Sequence, residues 1–338
     1  METLPDRVQA LEHRTLKWSP LLGSIQCSFS WLAHRSARPG GPRQRKTGST
    51  FPRDALASRL LKRAQWRLDR LALNIRSAAA RAAMLGRIKI GGRQHPLPGK
   101  LVVSLTSYPP RFATLPLTLR SLLCQTVKPN RIVLWVSHDD EPEIPEAVRR
   151  LTSHGVEIRP TDDIKSFKKI IPAVRAFPDA FIVTADDDVY YGPHWLEDLA
   201  LASSGRMGLI VCYQAREIRL DDQGKLQSYE RWPYLNEPRD SATAFPVGRG
   251  GVLYPPGALS CEVADEAAFL ELCPQADDVW LYWMGRRAGS TYRKIQQSEG
   301  LWDWPGSQKT ALFRKNLLAN MNDRQIDAVA QRYGYPEF

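Results

Sequence analysis

The chain has 338 residues, of which 43% are hydrophobic and 25% are charged, an ordinary globular composition in which a sizeable core can be buried. The net charge is +11, but residues 1–97 hold 19 Lys/Arg and 5 Asp/Glu, whereas residues 98–338 hold 28 and 31. Any attraction to an anionic surface is therefore expected from the N-terminal segment alone, and nucleic acid is not an expected partner.

Cysteine usage and hydropathy exclude further classes of protein. The five cysteines are odd in number and have no C-x-x-C spacing, so we expect neither a disulfide framework nor a zinc site, and a cytoplasmic location fits best. No apolar run approaches the ~18 residues of a membrane-spanning helix. The first residues include Asp6 and Glu12 and do not resemble a secretory signal.

The first 97 residues divide into two parts. Residues 1–55 have no hydrophobic period and include a run of Pro, Gly and basic residues, which predicts a disordered basic extension. Residues 56–97 are predicted to form a basic amphipathic helix and a linker. The apolar positions at helical spacing are Leu60, Leu61, Ala64, Leu68, Leu71 and Ile75. The helix either packs on the rest of the protein or a partner, or makes a peripheral contact with an anionic membrane through residues 56–90.

From residue 98 onward, strand-like apolar segments alternate with helical ones. Strands are predicted over residues 101–105, 131–136, 156–159, 180–184 and 209–212, and helices over residues 115–125, 143–153, 166–177, 193–202 and 279–286. Strands joined by helices of about ten residues pair in parallel. Residues 98–338 are therefore predicted to form an α/β domain with a mixed, mostly parallel sheet flanked by helices.

Three adjacent carboxylates, Asp186, Asp187 and Asp188, directly follow the strand predicted over residues 180–184. Ligands of open α/β sheets bind beyond the carboxyl ends of the strands. Adjacent carboxylates repel one another, and a divalent cation such as Mn²⁺ or Mg²⁺, which prefers oxygen ligands, would relieve that repulsion. The structural alternative is that these acids cap the helix predicted over residues 193–202.

This acidic triplet resembles the D-x-D motif of GT-A glycosyltransferases. Three more segments resemble a group of bacterial family-2-like glycosyltransferases: residues 102–111 (VVSLTSYPPR), 162–172 (DDIKSFKKIIP) and 276–281 (ADDVWL). The resemblance implies a GT-A-like fold and a nucleotide-sugar donor, with a divalent cation held by Asp186 and Asp188. It also implies transfer to a hydroxyl of a glycan or lipid-linked glycan, in the synthesis of a bacterial surface polysaccharide.

Donor contacts are expected partly from the residues themselves and partly from the resemblance. Hydroxyl and backbone groups after the first strand, and the guanidinium of Arg111, could bind a nucleotide and its phosphates. The resemblance adds the remaining contacts with base, ribose and phosphate. The expected donor-binding residues are Thr106, Ser107, Tyr108, Arg111, Asp163, Lys169, Asp186 and Asp187. The alternatives are a surface salt bridge for Arg111, a helix cap for Asp163 and a solvated side chain for Lys169.

Asp277 and Asp278 directly precede the helix predicted over residues 279–286. An inverting transfer needs a carboxylate that takes the proton of the attacking hydroxyl. By resemblance this pair has that catalytic role, with Asp278 preferred, although acids at a helix start are favourable in any protein. The resemblance also places Gly250 and Gly251 at the acceptor site, and Trp280 could stack on a sugar ring. The alternative for the two glycines is an ordinary surface turn, and the alternative for Trp280 is a side chain of the core.

The sequence departs from the resemblance in places and leaves other classes open. Many GT-A enzymes bind the metal with a late histidine, but the last histidine here is His194, and residues 1–97 lie outside the resemblance. The alternatives are an aspartate-dependent phosphatase, a nucleotidyltransferase, and a non-catalytic basic protein that binds membrane or nucleic acid. The phosphatase would have Thr or Val at position 190, where this chain has Tyr. The nucleotidyltransferase would have a Gly-rich loop after the first strand, where this chain has no glycine in residues 106–111. The binding protein would not explain acids at a strand end.

Overall fold

The computed structural model describes residues 53–85, 92–296, 301–305, 307 and 321–336. The chain divides into two units, which are residues 1–59 and residues 60–338. The sheet and the candidate site belong to the second unit. The predicted disordered extension lies outside the described residues, except that residues 53–55 begin the first helix. None of the described helices is long and apolar enough to cross a membrane.

Helices and strands alternate along the central part of the described chain. The α-helices are α1 (Arg53–Leu85), α2 (Leu115–Leu123), α3 (Glu146–Arg149), α4 (Ile171–Ala176), α5 (Trp195–Ser203), α6 (Glu266–Leu272), α7 (Asp277–Arg287) and α8 (Met321–Tyr333). The strands are β1 (Arg93–Gln94), β2 (Leu101–Thr106), β3 (Val127–Lys128), β4 (Arg131–Ser137), β5 (Val156–Thr161), β6 (Phe181–Ala185), β7 (Val189–Tyr191), β8 (Leu209–Cys212), β9 (Ala215–Glu217), β10 (Arg239–Ser241), β11 (Ala244–Pro246), β12 (Val252–Tyr254), β13 (Thr291–Lys294) and β14 (Leu301–Asp303).

Two of the predicted helices are shorter in the structure. The helix predicted over residues 166–177 is a 3-10 turn, Lys165–Lys169, followed by α4. Pro172 lies in the first turn of α4, where its missing N–H would have no partner in the helix anyway, so the α-helix can begin there. The helix predicted over residues 143–153 has one α-helical turn, α3, between 3-10 turns.

Eight strands of the described chain form one sheet in the order β10-β13-β8-β12-β6-β2-β4-β5. The pairings β6–β2, β2–β4, β4–β5 and β13–β8 are parallel. Strands β10 and β12 pair antiparallel with their neighbours. The sheet is therefore mixed and mostly parallel, with helices on both faces, which confirms the predicted fold class.

Both faces of the sheet are buried because its central strands are largely apolar. Val102 and Ile182, from β2 and β6, belong to one core cluster, with residues of α4, α6 and α7. Leu101, Val103 and Val183 belong to the other cluster, with residues of α2 and α5. This alternation follows from the two-residue period of strands. Polar side chains that follow β2 and β6 therefore lie at the edge of a buried layer.

The pairing of β2 with β6 brings distant residues together at one end of the sheet. Leu105 of β2 pairs with Ala185 of β6, and each strand ends at this pair or at the next residue. Because the two strands run in the same direction, Ser107 and the acidic triplet leave the sheet side by side.

Helix α1 lies in the N-terminal segment and begins at Arg53, three residues before the start of the predicted helix at residue 56. In its described part, the buried side chains include Ser77 and Ala80. Ala80 packs against Leu117 of α2 and against Trp304. Ala80 and Met84 therefore contact the rest of the protein, whereas Leu68, Leu71 and Ile75 of the predicted apolar face are exposed.

Candidate functional site

The acidic triplet lies in the loop between β6 and β7, where hydroxyl groups fix it. Ser107 Oγ donates a hydrogen bond to Asp187 Oδ2 at 2.5 Å, and Thr118 Oγ1 of α2 donates to the Asp187 carbonyl oxygen at 2.9 Å. Strand β7 separates the triplet from α5, whose N-cap residue is His194. The alternative in which these acids cap α5 is therefore wrong.

Arg111 lies against the second and third carboxylates of the triplet. Its Nη1 is 3.2 Å from Asp187 Oδ1, and it also forms an ion pair with Asp188. A further hydrogen bond joins it to the Tyr108 side chain. The side chains of Arg111, Asp187 and Asp188 are all largely buried, so the alternative of a surface salt bridge is wrong for Arg111. Burial raises the pKa of Asp187 to about 7 and also raises that of Asp188, while Arg111 acts in the opposite direction.

Lys169 connects the acidic triplet with the second acidic pair. Its Nζ is 3.0 Å from Asp186 Oδ1 and 2.9 Å from Asp277 Oδ2, and its side chain is 9% exposed. The alternative of a solvated side chain is therefore wrong for Lys169. The neighbouring Lys168 pairs instead with Asp163, whose carboxylate is largely exposed. The structure thus brings Lys169 into the acidic site and leaves Asp163 near the surface.

The acidic pair at the start of α7 lies on the other side of Lys169. The backbone N–H of Gly248 donates to both carboxylate oxygens of Asp278, at 3.1 Å each. A Cβ at position 248 would lie 2.7 Å from Asp278 Oδ1, so this approach requires a residue without a side chain. Burial, followed by repulsion from Asp277, raises the pKa of Asp278 to about 7.

The other predicted acceptor residues have packing roles in the structure. The Gly250 carbonyl oxygen accepts a hydrogen bond from Trp195 Nε1 at 2.8 Å, and a Cβ on Gly251 would lie 2.5 Å from Trp195 Cζ2. Trp280 is fully buried, and its Nε1 donates to the Val263 carbonyl oxygen at 2.9 Å. The prediction that Trp280 stacks on a sugar is wrong, because its ring has no exposed face. The two glycines are packed against a buried tryptophan and do not form an open surface.

Two predicted donor residues stabilise the chain beside the site. Thr106 Oγ1 donates to the Trp135 carbonyl oxygen at 2.8 Å, across the pairing of β2 with β4. Asp163 Oδ1 accepts a hydrogen bond from the backbone N–H of Lys165 at 3.1 Å, and Lys165 has a positive φ of 57°. Asp163 therefore stabilises the 3-10 turn before α4. This role resembles the alternative in which Asp163 caps a helix.

A further acidic residue, which the sequence does not predict, lies beside the triplet. Strand β14 pairs with β7 so that Asp303 lies opposite Val189, and the Trp304 N–H donates to the Asp188 carbonyl oxygen at 2.8 Å. Asp303 pairs with Arg249, whose Nε is 2.6 Å from Asp303 Oδ1. No motif or spacing identifies these residues, because only the pairing of two short strands brings them to the triplet.

The carboxylates at this end of the sheet suit a hard divalent cation in their donor chemistry. In the described ranges, no three His, Cys, Asp or Glu side chains are grouped as ligands of one metal ion. Burial and the negative charges of Asp186 and Asp303 raise the pKa of Asp188, and Arg111 acts in the opposite direction. Mn²⁺ and Mg²⁺ prefer oxygen donors, so Asp186 and Asp188 fit such an ion if phosphate and water supply its other ligands.

Comparisons with known proteins do not identify a family for this chain. No protein-family model matches it, and no curated protein matches it. Solved structures do match, among them the crystal structure of GalNAc-T7 with UDP, GalNAc and Mn²⁺, at 12% sequence identity and a TM-score of 0.38. That match covers 69% of this chain and 50% of the other, so this chain spans about half the length of that protein. Similarity at this level does not establish a shared activity.

Proposed function

We propose that residues 98–338 form a metal-dependent glycosyltransferase of the GT-A type, which moves a sugar from a nucleotide-sugar donor to a hydroxyl acceptor with inversion. One observation carries this proposal: the buried Lys169 contacts both Asp186 of the triplet and Asp277 of the helix-start pair. Two acidic segments that are distant in the sequence thus share one cation, at the end of the sheet where open α/β folds bind ligands. Clusters of carboxylates with raised pKa values are typical of functional sites.

On the donor side, Asp186 and Asp188 would hold Mn²⁺ or Mg²⁺, and the buried Asp187 fixes the loop between them. When bound, such an ion would neutralise charge on the diphosphate leaving group. Arg111 and Lys169 form ion pairs with carboxylates of the triplet. Both can exchange a carboxylate partner for a phosphate oxygen, and this is their proposed role in donor binding.

On the acceptor side, Asp278 is the proposed general base. Its pKa of about 7 suits proton transfer at neutral pH, and the Gly248 N–H holds its carboxylate in place. The acceptor oxygen forms a bond to the anomeric carbon while its proton passes to Asp278. The bond from that carbon to the diphosphate oxygen breaks, and its electron pair leaves with the nucleotide. A retaining transfer does not need this base, so the raised pKa supports inversion.

We also propose the cytoplasm as the location and a bacterial surface polysaccharide as the product, with a glycan or lipid-linked glycan as the acceptor. The support is the resemblance of residues 102–111, 162–172 and 276–281 to bacterial family-2-like glycosyltransferases. The odd number of cysteines, without paired spacing, supports the location.

Calorimetric titration with a panel of nucleoside diphosphates, with and without Mn²⁺, tests the donor site. One diphosphate should bind to the wild-type protein only with Mn²⁺, and Asp188→Asn should abolish that binding. The matched control is Asp240→Asn, because Asp240 pairs with Arg293 at the β10 edge of the sheet, and this variant should bind as the wild type does. Binding that needs no metal and survives Asp188→Asn, or no binding at all, would refute the donor site.

Product analysis separates the proposed transfer from the alternative activities. The nucleotide sugar of the diphosphate that binds should be turned over with release of that diphosphate. A nucleotidyltransferase would instead release pyrophosphate from a nucleoside triphosphate. A protein that binds no nucleotide and turns over neither substrate would be a non-catalytic binding protein.

A further inference from the structure

Helix α1 presents three large apolar side chains to solvent on one of its sides. Leu68, Leu71 and Ile75 are 60%, 56% and 61% exposed. Because an α-helix turns ~100° per residue, these three side chains lie within about 60° of one another around the helix axis. Exposed small residues extend the same side of the helix: Ala64, Ala79 and Ala82. These six residues are termed the apolar stripe.

The opposite side of α1 is the side that contacts the rest of the described protein. Ser77 and Ala80 are 2% and 9% exposed, and Ala80 packs against Leu117 and Trp304. By the same helical geometry, Ser77 and Ala80 are centred about 180° from the apolar stripe. The face that a helix usually buries is therefore turned away from the protein.

Basic side chains flank the apolar stripe on both sides. Helix α1 contains eight Lys/Arg and two Asp/Glu, which gives it a net charge of +6. Arg67 projects on one side of the stripe and Arg76 on the other, each about 80–100° from its centre, and both are exposed. An apolar face between basic flanks is typical of helices that lie in the plane of a membrane interface.

We propose that α1 lies flat on a bilayer containing anionic lipids, with the apolar stripe at the acyl boundary and the flanking arginines among the headgroups. Charge complementarity selects this occupant. A second copy of the chain would bring two helices of net charge +6 together, which is repulsive. A planar anionic surface contacts the stripe and both flanks along the ~27 Å of helix from residue 64 to residue 82.

The contacts of α1 also connect it to the candidate site. Trp304, which packs on Ala80, donates its Nε1 hydrogen to Thr118 Oγ1 at 3.0 Å. Thr118 in turn donates to the carbonyl oxygen of Asp187 in the triplet. A membrane-bound α1 would therefore hold the site at a bilayer, where a lipid-linked acceptor resides. This consequence rests on the proposed function, whereas the membrane binding itself does not.

Co-sedimentation of the full chain with vesicles tests the proposal. The vesicles are pure phosphatidylcholine, or phosphatidylcholine mixed with anionic phosphatidylglycerol. At low salt the wild-type protein should bind the anionic vesicles about tenfold or more tightly than the neutral ones, and high salt should weaken this preference. The double variant Leu68→Gln/Ile75→Gln should bind the anionic vesicles about tenfold or more weakly, because it removes apolar area from the stripe.

Leu220→Gln is the matched control, because Leu220 is 41% exposed outside α1, and this variant should bind as the wild type does. All the substituted side chains are exposed, so the variants should fold normally, which thermal unfolding verifies. Equal binding by the wild type and the double variant, or no preference for anionic vesicles, would overturn the proposal. It would also fall if light scattering showed a wild-type dimer that the double variant loses, because a second copy would then cover the stripe.

Discussion

Replacing Lys169 with methionine tests whether the acidic site depends on one buried cation. The Lys169 Nζ lies 3.0 Å from an Asp186 carboxylate oxygen and 2.9 Å from one of Asp277, and the side chain is 9% exposed. Methionine is an unbranched apolar side chain that fills irregular space, so the substitution removes the charge and little of the packing. We expect a loss of stability, because two carboxylates lose their cation, and the side chains of Asp277 and Asp186 are only 12% and 30% exposed.

The structure supplies a control of the same residue type one position away. Breaking a buried ion pair by removing one partner costs about 3–5 kcal/mol in the free energy of unfolding. The Lys168 side chain is equally buried, at 5% exposed, but the Asp163 carboxylate that it contacts is 62% exposed. An ion pair open to solvent contributes about 0–1 kcal/mol. Lys169→Met should therefore cost about 3 kcal/mol more than Lys168→Met.

Urea denaturation of the wild type and both variants, followed by tryptophan fluorescence, measures this difference. EDTA in the buffer excludes stabilisation by a bound cation. High salt should leave the loss in Lys169→Met nearly unchanged, because salt screens buried pairs weakly. Equal losses in the two variants would refute the reasoning, since Lys168 contacts one exposed carboxylate and Lys169 contacts two that are less exposed.

Other substitutions separate the proposed catalytic groups from the packing groups. The wild-type kcat/KM should rise with pH and level off above a pKa of about 7, because only deprotonated Asp278 accepts the proton; Asp278→Asn should lower kcat by about 10²–10⁴-fold and remove this rise. Gly248→Ala should lower kcat by about 10²-fold through displacement of that carboxylate, whereas Gly208→Ala, where nothing lies within 4 Å, should not. Trp280→Phe should cost about 1–3 kcal/mol in urea denaturation and leave the acceptor KM unchanged. A flat wild-type pH profile, equal effects at the two glycines, or a raised acceptor KM would contradict these expectations.

Hydrophobic periodicity predicts the fold class because the strands of the sheet are apolar runs and helices separate them. The strands predicted over residues 131–136 and 209–212 agree with β4 and β8 to within one residue. Helices α3 and α4 are predicted less well, because prolines at positions 145 and 172 fix where they begin, whereas the apolar period continues across those positions. Strands β9 to β14 have three or four residues each, too few to show a period.

Local motifs identify the acidic residues of the site, but contacts between distant segments decide which side chains surround them. The triplet at the end of β6 is visible in the sequence because acids directly follow an apolar run. The sequence cannot show that Lys169 bridges the two acidic segments, because that contact depends on how the 3-10 turn packs beneath β2 and α7. The same limit explains the error at Trp280, where an aromatic residue beside an acidic pair is fully buried in the core.

The ion pairs of the triplet predict that metal and donor bind together. Arg111 contacts Asp188, and Lys169 contacts Asp186, so both proposed metal ligands have a cationic partner. A divalent cation competes with these partners, and a diphosphate can accept them, so each ligand should strengthen the binding of the other. Typical coupling between two sites changes affinity about 5- to 150-fold, and the change is the same in both directions. Mn²⁺ titration with and without the nucleoside diphosphate measures it, and equal Mn²⁺ affinities would show that the arginine and the lysine do not move between carboxylate and phosphate.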